Sequence, residues 1–309
     1  MENRMIDRIK RVLDTHQVPH NEVLGRYSEP HRYYHNIDHV VNLLTKAEER
    51  DILSEDLFLA ILFHDVVYDP KRTDNENLSA KLFSCFVKND VVRHAILDTQ
   101  HHIPTNYLSK ILCDLDMEDL YGDFDVFMNN SEKIAKEYAY LDWTVYIKGR
   151  TEFLQAHGVD STYIKAMNRV KPKIGLYPGS FNPFHVGHMD ILLEAEKIFD
   201  KVIIARGINP EKNSVLSLMP SSLEHRQVEH YDGLLTDFIK SLNYEVTVIR
   251  GLRNCADFEY EINQYRYLRG LDESIKVVNV FSNKQYDHIS SSGVKTLLKY
   301  GKGEEFLIN

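Results

Sequence analysis

Up to about Asn168 the apolar residues recur three and four positions apart. IDHVVNLLTKAEER, EDLFLAILFHDVVY, NENLSAKLFSCFVK and SEKIAKEYAYLDW all carry this spacing, and MENRMIDRIKRVLD brings Met5, Ile6, Ile9, Val12 and Leu13 to one face. The spacing predicts helices and almost no strand. Beyond Asn168 the short β-branched runs KIGLY, KVIIA, YEVTVI and KVVNVF alternate with helical stretches such as MDILLEAEKIF, and RQVEHYDG is strand-like. That alternation predicts a parallel sheet with crossover helices. The change falls at NRVKPK, where Pro172 in a polar, basic stretch ends a helix and leads into the first strand. Two domains are therefore expected, all-α over 1–170 and α/β over 171–309.

A length of 309 residues allows each domain its own core without disulfides. Hydrophobic residues at 43% and charged residues at 27% exclude extensive disorder. The net charge of −9 argues against a nucleic-acid partner, which would demand many Lys and Arg on phosphates. Cys85, Cys113 and Cys255 are widely spaced with no C-x-x-C, so neither a disulfide framework nor a zinc-thiolate site is expected, and a reducing cytoplasm fits. The amino terminus lacks the apolar core of a signal peptide, and no window nears the roughly 20 apolar residues of a membrane span. Neither export nor a membrane partner is expected.

KIGLYPGSFNPFHVGHMDILLEAEKIF reads as strand, tight turn and helix. Gly179 and Pro183 shape the turn, Gly187 permits close backbone approach, and the helix is expected to begin near His188. Such a start offers unpaired N–H groups and a positive dipole end to phosphate. His185 and His188, three apart, face the same way; taken alone, turn histidines that only cap or hydrogen-bond are the lesser alternative.

The stretch resembles the nucleotidyltransferase superfamily with its H-x-G-H signature. Three further blocks resemble phosphopantetheine adenylyltransferase: INPEK ending at Lys212, VIRGLRNCADFEYE from Val248 to Glu261, and YDHISSSGVK from Tyr286 to Lys295. The resemblance covers nearly all of residues 173–309. It implies a Rossmann-like fold that transfers an adenylyl group from ATP, with Mg2+, to 4′-phosphopantetheine, giving dephospho-coenzyme A and pyrophosphate. ATP contacts would fall on Ser180, Phe181, His188, Gly251, Leu252, Arg253, Glu261, Tyr286, Ser290, Ser291 and Ser292. Acceptor contacts would fall on Ser180, Lys212, Thr236 and Arg250. His188 and Lys212 would serve the transferring phosphoryl, and Arg253 the β,γ-phosphates. By spacing alone, Arg250 and Arg253 could instead pair with Asp257 or Glu259, and the serines could simply cap a helix.

Three features depart from the family. His185 stands where T-N-G-H is usual, and nicotinamide mononucleotide adenylyltransferases have H-x-G-H, so that mononucleotide is the alternative acceptor. The segment after Lys212 is short, so the T-x-E-E-R helix is expected to be missing. Leu268 takes a usually polar place beside Arg269. A homo-oligomer is expected.

In the first half, YSEPHRYYHNIDHVVNLL, LFLAILFHDVVYDP and CDLDMEDL resemble, in order, the HD superfamily of metal-dependent phosphohydrolases; Y-H-N-x-x-H is also similar to cyclic nucleotide phosphodiesterases. The resemblance implies a divalent metal (Mn, Fe, Mg or Zn) held by His39, His64, Asp65 and Asp116, with Asp114 the alternative in D-x-D. His35, four residues before His39, would donate a proton to the leaving group. Asp65 is suited to bridging two metals. His101 and His102 read better as surface histidines than as second-metal ligands, and Asp74 better as a helix cap than Glu76 as a neighbour of the metal. Lys71 and Arg72 could meet a substrate phosphate or lie in a solvated loop. A nonhydrolytic nucleotide sensor is the alternative for this half.

Overall fold

The computed structural model describes residues 2–208 and 217–308. Two compact units are distinguished, Met1–Glu137 with Phe153–Met167, and Tyr138–Glu152 with Asn168–Asn309. Among the described residues no helix is long and apolar enough to cross a membrane.

The first unit is helical: α1 (Glu2–Thr15), α2 (Ile37–Glu49), α3 (Glu55–Phe63), α4 (Asn75–Phe86), α5 (Asp90–Asp98), α6 (Tyr107–Met117) and α7 (Phe124–Glu137). Several begin on side-chain caps. Asn36 accepts from the backbone N–H groups of Asp38 and His39, Ser54 from Leu57, and Asn106 with Ser109 forms a reciprocal capping box. Helix α3 is buried from Leu57 to Phe63 and forms the middle of the core, with Ile9, Leu13, Leu44, Phe83 and Ile96 packed around it. That is why its sequence is apolar on every side.

Two more helices, α8 (Trp143–Ala156) and α9 (Ser161–Arg169), precede the sheet. Its strands are β1 (Ile174–Gly179), β2 (Lys201–Ile208), β3 (Gln227–Asp232), β4 (Thr247–Leu252) and β5 (Lys276–Phe281), all parallel in the order β3-β2-β1-β4-β5. Helices α10 (Val186–Ala195), α11 (Leu235–Ser241), α12 (Cys255–Leu271) and α13 (Ser291–Lys299) lie between or after the strands. One face of the sheet packs Ile191, Leu192, Ile204 and Ile249, and the other Leu176, Ile203 and Ala205 against Phe238 and Trp143. The central strands are apolar on both faces because both are covered. The order reverses between β1 and β4, and in an open parallel sheet the crevice beyond the strand ends at such a point receives ligands.

Helix α10 begins at Val186 with His185 as its N-cap, slightly earlier than its apolar pattern suggests. Among the described residues the only helical piece between β2 and β3 is the turn Ser221–Leu223.

Candidate functional sites

In the helical unit, His39 on the first turn of α2, His64 directly after α3, its neighbour Asp65, and Asp116 near the end of α6 meet although they lie up to 77 positions apart (116 − 39). His39 Nε2 is 3.3 Å from His64 Nε2 and 3.1 Å from Asp116 Oδ1, and His64 Nε2 is 2.9 Å from Asp65 Oδ2. Both imidazoles are buried. His64 Nδ1 lies 2.8 Å from the Ile61 carbonyl, a bond that puts a proton on Nδ1 and turns Nε2 toward the centre. A cation about 2.1 Å from each donor spaces its donors about 3–4 Å apart, and the donor atoms of His39, His64 and Asp65 lie within 4.8 Å of one another, with Asp116 Oδ1 beside both histidines at 3.1 and 3.7 Å. Burial alone would push the His64 imidazolium down; Asp65 and Asp116 override it and raise it well above the usual value, a sign of strong local negative potential.

Asp114 points away and pairs with Lys110 at 2.7 Å, since residues two apart on a helix lie on opposite sides. His101 is exposed. The surface reading fails for His102, whose Nε2 bonds Asp116 Oδ2 at 2.9 Å. The capping reading fails for Asp74: it holds the N-cap position of α4, but its carboxylate takes a two-pronged bond from Arg72, at 2.8 Å each, and caps nothing. Lys71 lies exposed in the same loop, its N–H on Asp69. Glu76 is half-buried, and burial together with the charge of Asp65 raises its pKa.

His35 sits 6.0 Å, ring to ring, from His39 and stacks on Tyr68. Its Nδ1 is 2.7 Å from Oε2 of Glu137, a carboxylate with no solvent exposure. Glu137 Oε1 accepts from the N–H groups of Tyr33, Tyr34 and His35, and Oε2 from the Tyr68 hydroxyl. Arg32, also buried, donates to the carbonyls of His35, Asp65 and Val66 and to the Glu29 carboxylate. Glu137 and Arg32 escaped the sequence reading. Arg32 stands inside a quoted motif, whereas Glu137, about a hundred residues on, carries no local signal.

In the sheet unit, a cavity of about 330 Å3 opens at the β1/β4 reversal and is lined by Gly179, Phe181, His188, Arg250, Gly251, Arg253, Glu261, Ser290 and Ser291 among others. The N-termini of α10 and α13 both reach it through His188, Ser290 and Ser291. His188 Nδ1 accepts the His185 N–H at 3.3 Å, which leaves the proton on Nε2. Burial, then His185 and Arg253, hold His188 well below its usual pKa, and burial with Arg253 pushes His185 down to about 4. His188 is therefore a neutral hydrogen-bond donor at pH 7. His185 stacks on it with ring centroids 3.6 Å apart, and its buried Nδ1 has no hydrogen-bond partner among the described residues.

Arg253 pairs with Asp257 at 2.8 Å, a partner the ion-pair reading named, whereas Arg250 pairs at 2.5 Å with Glu261, which was expected to contact ATP; both guanidinium groups line the cavity. Arg253 also donates to the Ile289 carbonyl just ahead of α13. Ser290 caps α13 by accepting the Gly293 N–H, and Ser291 donates to the Pro183 carbonyl. Phe181 lines the cavity with its ring buried between Tyr177, Phe184 and His188. Ser180 and Ser292 are exposed, Leu252 and Thr236 buried, and Tyr286 half-buried; none of the five lines the cavity. Lys212 lies outside the described residues. Missed by the sequence reading were Tyr260, which lines the cavity, and Asp190, which accepts the Asn283 N–H at 2.7 Å.

Residues 176–297 match the cytidylyltransferase-like family. A phosphopantetheine adenylyltransferase of Clostridium novyi (strain NT) is 34% identical over 145 residues, covering 44% of this chain and 89% of that protein. That of Clostridium botulinum (strain Langeland) is 36% identical over 138 residues, covering 42% and 84%. A solved bifunctional NMN adenylyltransferase/ADP-ribose pyrophosphatase from Francisella tularensis aligns at a TM-score of 0.33 and 14% identity over 44% of each chain. A five-stranded parallel sheet, a cavity at its reversal point, and relatives matched over most of their length agree. Through its C-terminal half, the chain belongs to the phosphopantetheine adenylyltransferase family of nucleotidyltransferases.

Proposed function

We propose that residues 171–309 transfer an adenylyl group from ATP to 4′-phosphopantetheine, and that residues 1–170 form an HD-type metal-dependent phosphohydrolase. A phosphate oxygen of the acceptor attacks the α-phosphorus of ATP, the bond from that phosphorus to the bridging oxygen breaks, and pyrophosphate leaves with the electron pair. Charge grows on the nonbridging oxygens of the α-phosphate. The observation that carries the reading is the neutral His188, its Nε2–H committed by the His185 amide, at the mouth of α10 and beside Arg250 and Arg253. A donor locked in advance stabilises developing charge without reorganising. The starts of α10 and α13 supply further N–H groups for phosphates. Magnesium, when bound with ATP, neutralises phosphate charge.

The test is pyrophosphate release from ATP with 4′-phosphopantetheine and nicotinamide mononucleotide assayed side by side. Preference for the mononucleotide would move the acceptor assignment to the alternative suggested by His185. Silence with every phosphorylated acceptor would end the adenylyltransferase reading.

For the helical unit the support is the convergence of His39, His64, Asp65 and Asp116, with His35 held beside them by Glu137. A divalent cation there would polarise a phosphate and lower the pKa of water. His35, whose pKa the Glu137 carboxylate raises against burial, would give a proton to the leaving group. Phosphate release from a panel of phosphate esters with added Mn2+ tests this. Tight nucleotide binding without hydrolysis would favour the sensor instead.

A further inference from the structure

Phe181, in the turn between β1 and α10, has φ of +44°, a left-handed backbone that a bulky side chain adopts only at a cost. Such a residue persists where its surroundings over-determine it. The surroundings here centre on Arg206, which pairs with Gly179 across the β1/β2 register and so lies alongside the turn.

Arg206 is 3% exposed. Its Nε donates to the Ser180 carbonyl at 3.2 Å, and its two terminal nitrogens donate to the Ser217 carbonyl and hydroxyl at 2.7 and 3.4 Å. Ser217 is in turn tied to the same turn, its N–H to Asn182 Oδ1 at 3.1 Å and its hydroxyl to the Phe181 carbonyl at 3.5 Å. Among the described residues its hydrogen-bond partners are all neutral oxygens, and burial opposes its charge. The rigid fork of a guanidinium is what lets one side chain hold two carbonyls at fixed angles.

We propose that Arg206 is a positioning residue for nucleotide binding: by clamping Ser180 to Ser217 it holds the strained turn at Phe181 in the shape that receives ATP. Arg206 is absent from the cavity lining, whereas Gly179 and Phe181 on either side of Ser180 line it. The inference rests on the adenylyltransferase reading of that cavity.

The full-length protein and its Arg206→Met and Arg206→Lys variants are compared by equilibrium ATP binding, by initial rates of pyrophosphate release, and by urea unfolding. Arg206→Met is expected to weaken ATP binding and raise the KM for ATP about tenfold or more, the loss of bonds to a charged donor. Arg206→Lys should recover part of this, because an ammonium holds one carbonyl well and not two. A purely structural role would lower the unfolding midpoint and the active fraction while leaving Kd and KM for ATP unchanged, and that result overturns the proposal. If Arg206→Met does not fold, Arg206→Lys decides in the same way: unchanged ATP affinity overturns it, and affinity weakened severalfold supports it. Wild-type protein that binds ATP in an Arg206-dependent way yet releases no pyrophosphate would sink the adenylyltransferase reading and keep the clamp.

Discussion

His188 and His35 are both histidines beside a candidate reaction centre, and their surroundings drive them in opposite directions. The backbone N–H of His185 and burial keep His188 neutral, with its proton on Nε2. Replacing it by Ala should lower kcat for pyrophosphate release about 100- to 1,000-fold, the usual scale for one donor to a developing oxyanion. Initial rates at saturating ATP check this, with the binding of ATP little changed. For His35, burial alone would lower the pKa, and the Glu137 carboxylate overrides it and raises the value. For Glu137, burial would raise the pKa, and His35 with the backbone donors overrides it and lowers the value. A raised histidine contributes stability fully below its unfolded pKa of about 6.5, and loses it as pH rises through the raised value. A depressed carboxylate contributes above its unfolded value of about 4.3 and loses it as pH falls through the depressed one. The pair therefore stabilises most strongly between about pH 4.3 and 6.5. Glu137→Gln should cost about 3–5 kcal/mol there, as breaking a buried ion pair does, with a smaller loss at higher pH. Urea unfolding across that range measures it.

Elements were legible where the side chains that start them are also the ones that cap them. Asn36 and Ser290 head α2 and α13 and bond the first N–H groups, so local sequence decides both starts. Asp74 shows the limit, since Arg72 two residues earlier competes for the same carboxylate and wins with two bonds. The turn after β1 was recognisable from its glycines, and the structure supplies the reason for one of them. A Cβ on Gly179 would sit 2.8 Å from the Phe181 ring. Gly179→Ala should therefore destabilise the protein by about 1–3 kcal/mol, the range for forcing extra volume into a packed site, and should weaken ATP binding as well. A denaturant midpoint and an ATP titration test the two parts.

At the scale of the molecule, ligands that bind only the folded state should raise its resistance to unfolding by mass action, about 2.7 kcal/mol at a hundredfold excess over Kd. Saturating Mn2+ is expected to raise the thermal midpoint of the wild-type protein, and His64→Ala and Asp65→Ala to abolish that rise. An unchanged rise in both variants would disprove the ligand assignment. Periodicity by itself determined that a helical region precedes a parallel α/β region, because burial of one helix face or of both faces of a strand must be written into residue order. Resemblance to known families brought out His39, His64, His188 and the RGLR block, since each stands in a short contiguous motif that can be matched locally. Only the tertiary structure decided that Asp116 and not Asp114 meets the histidines, that Glu137 carries His35, and that Arg206 clamps the turn at Phe181. These contacts join residues from 26 to 102 positions apart, and such partners are chosen by how packed elements meet, which no local pattern encodes.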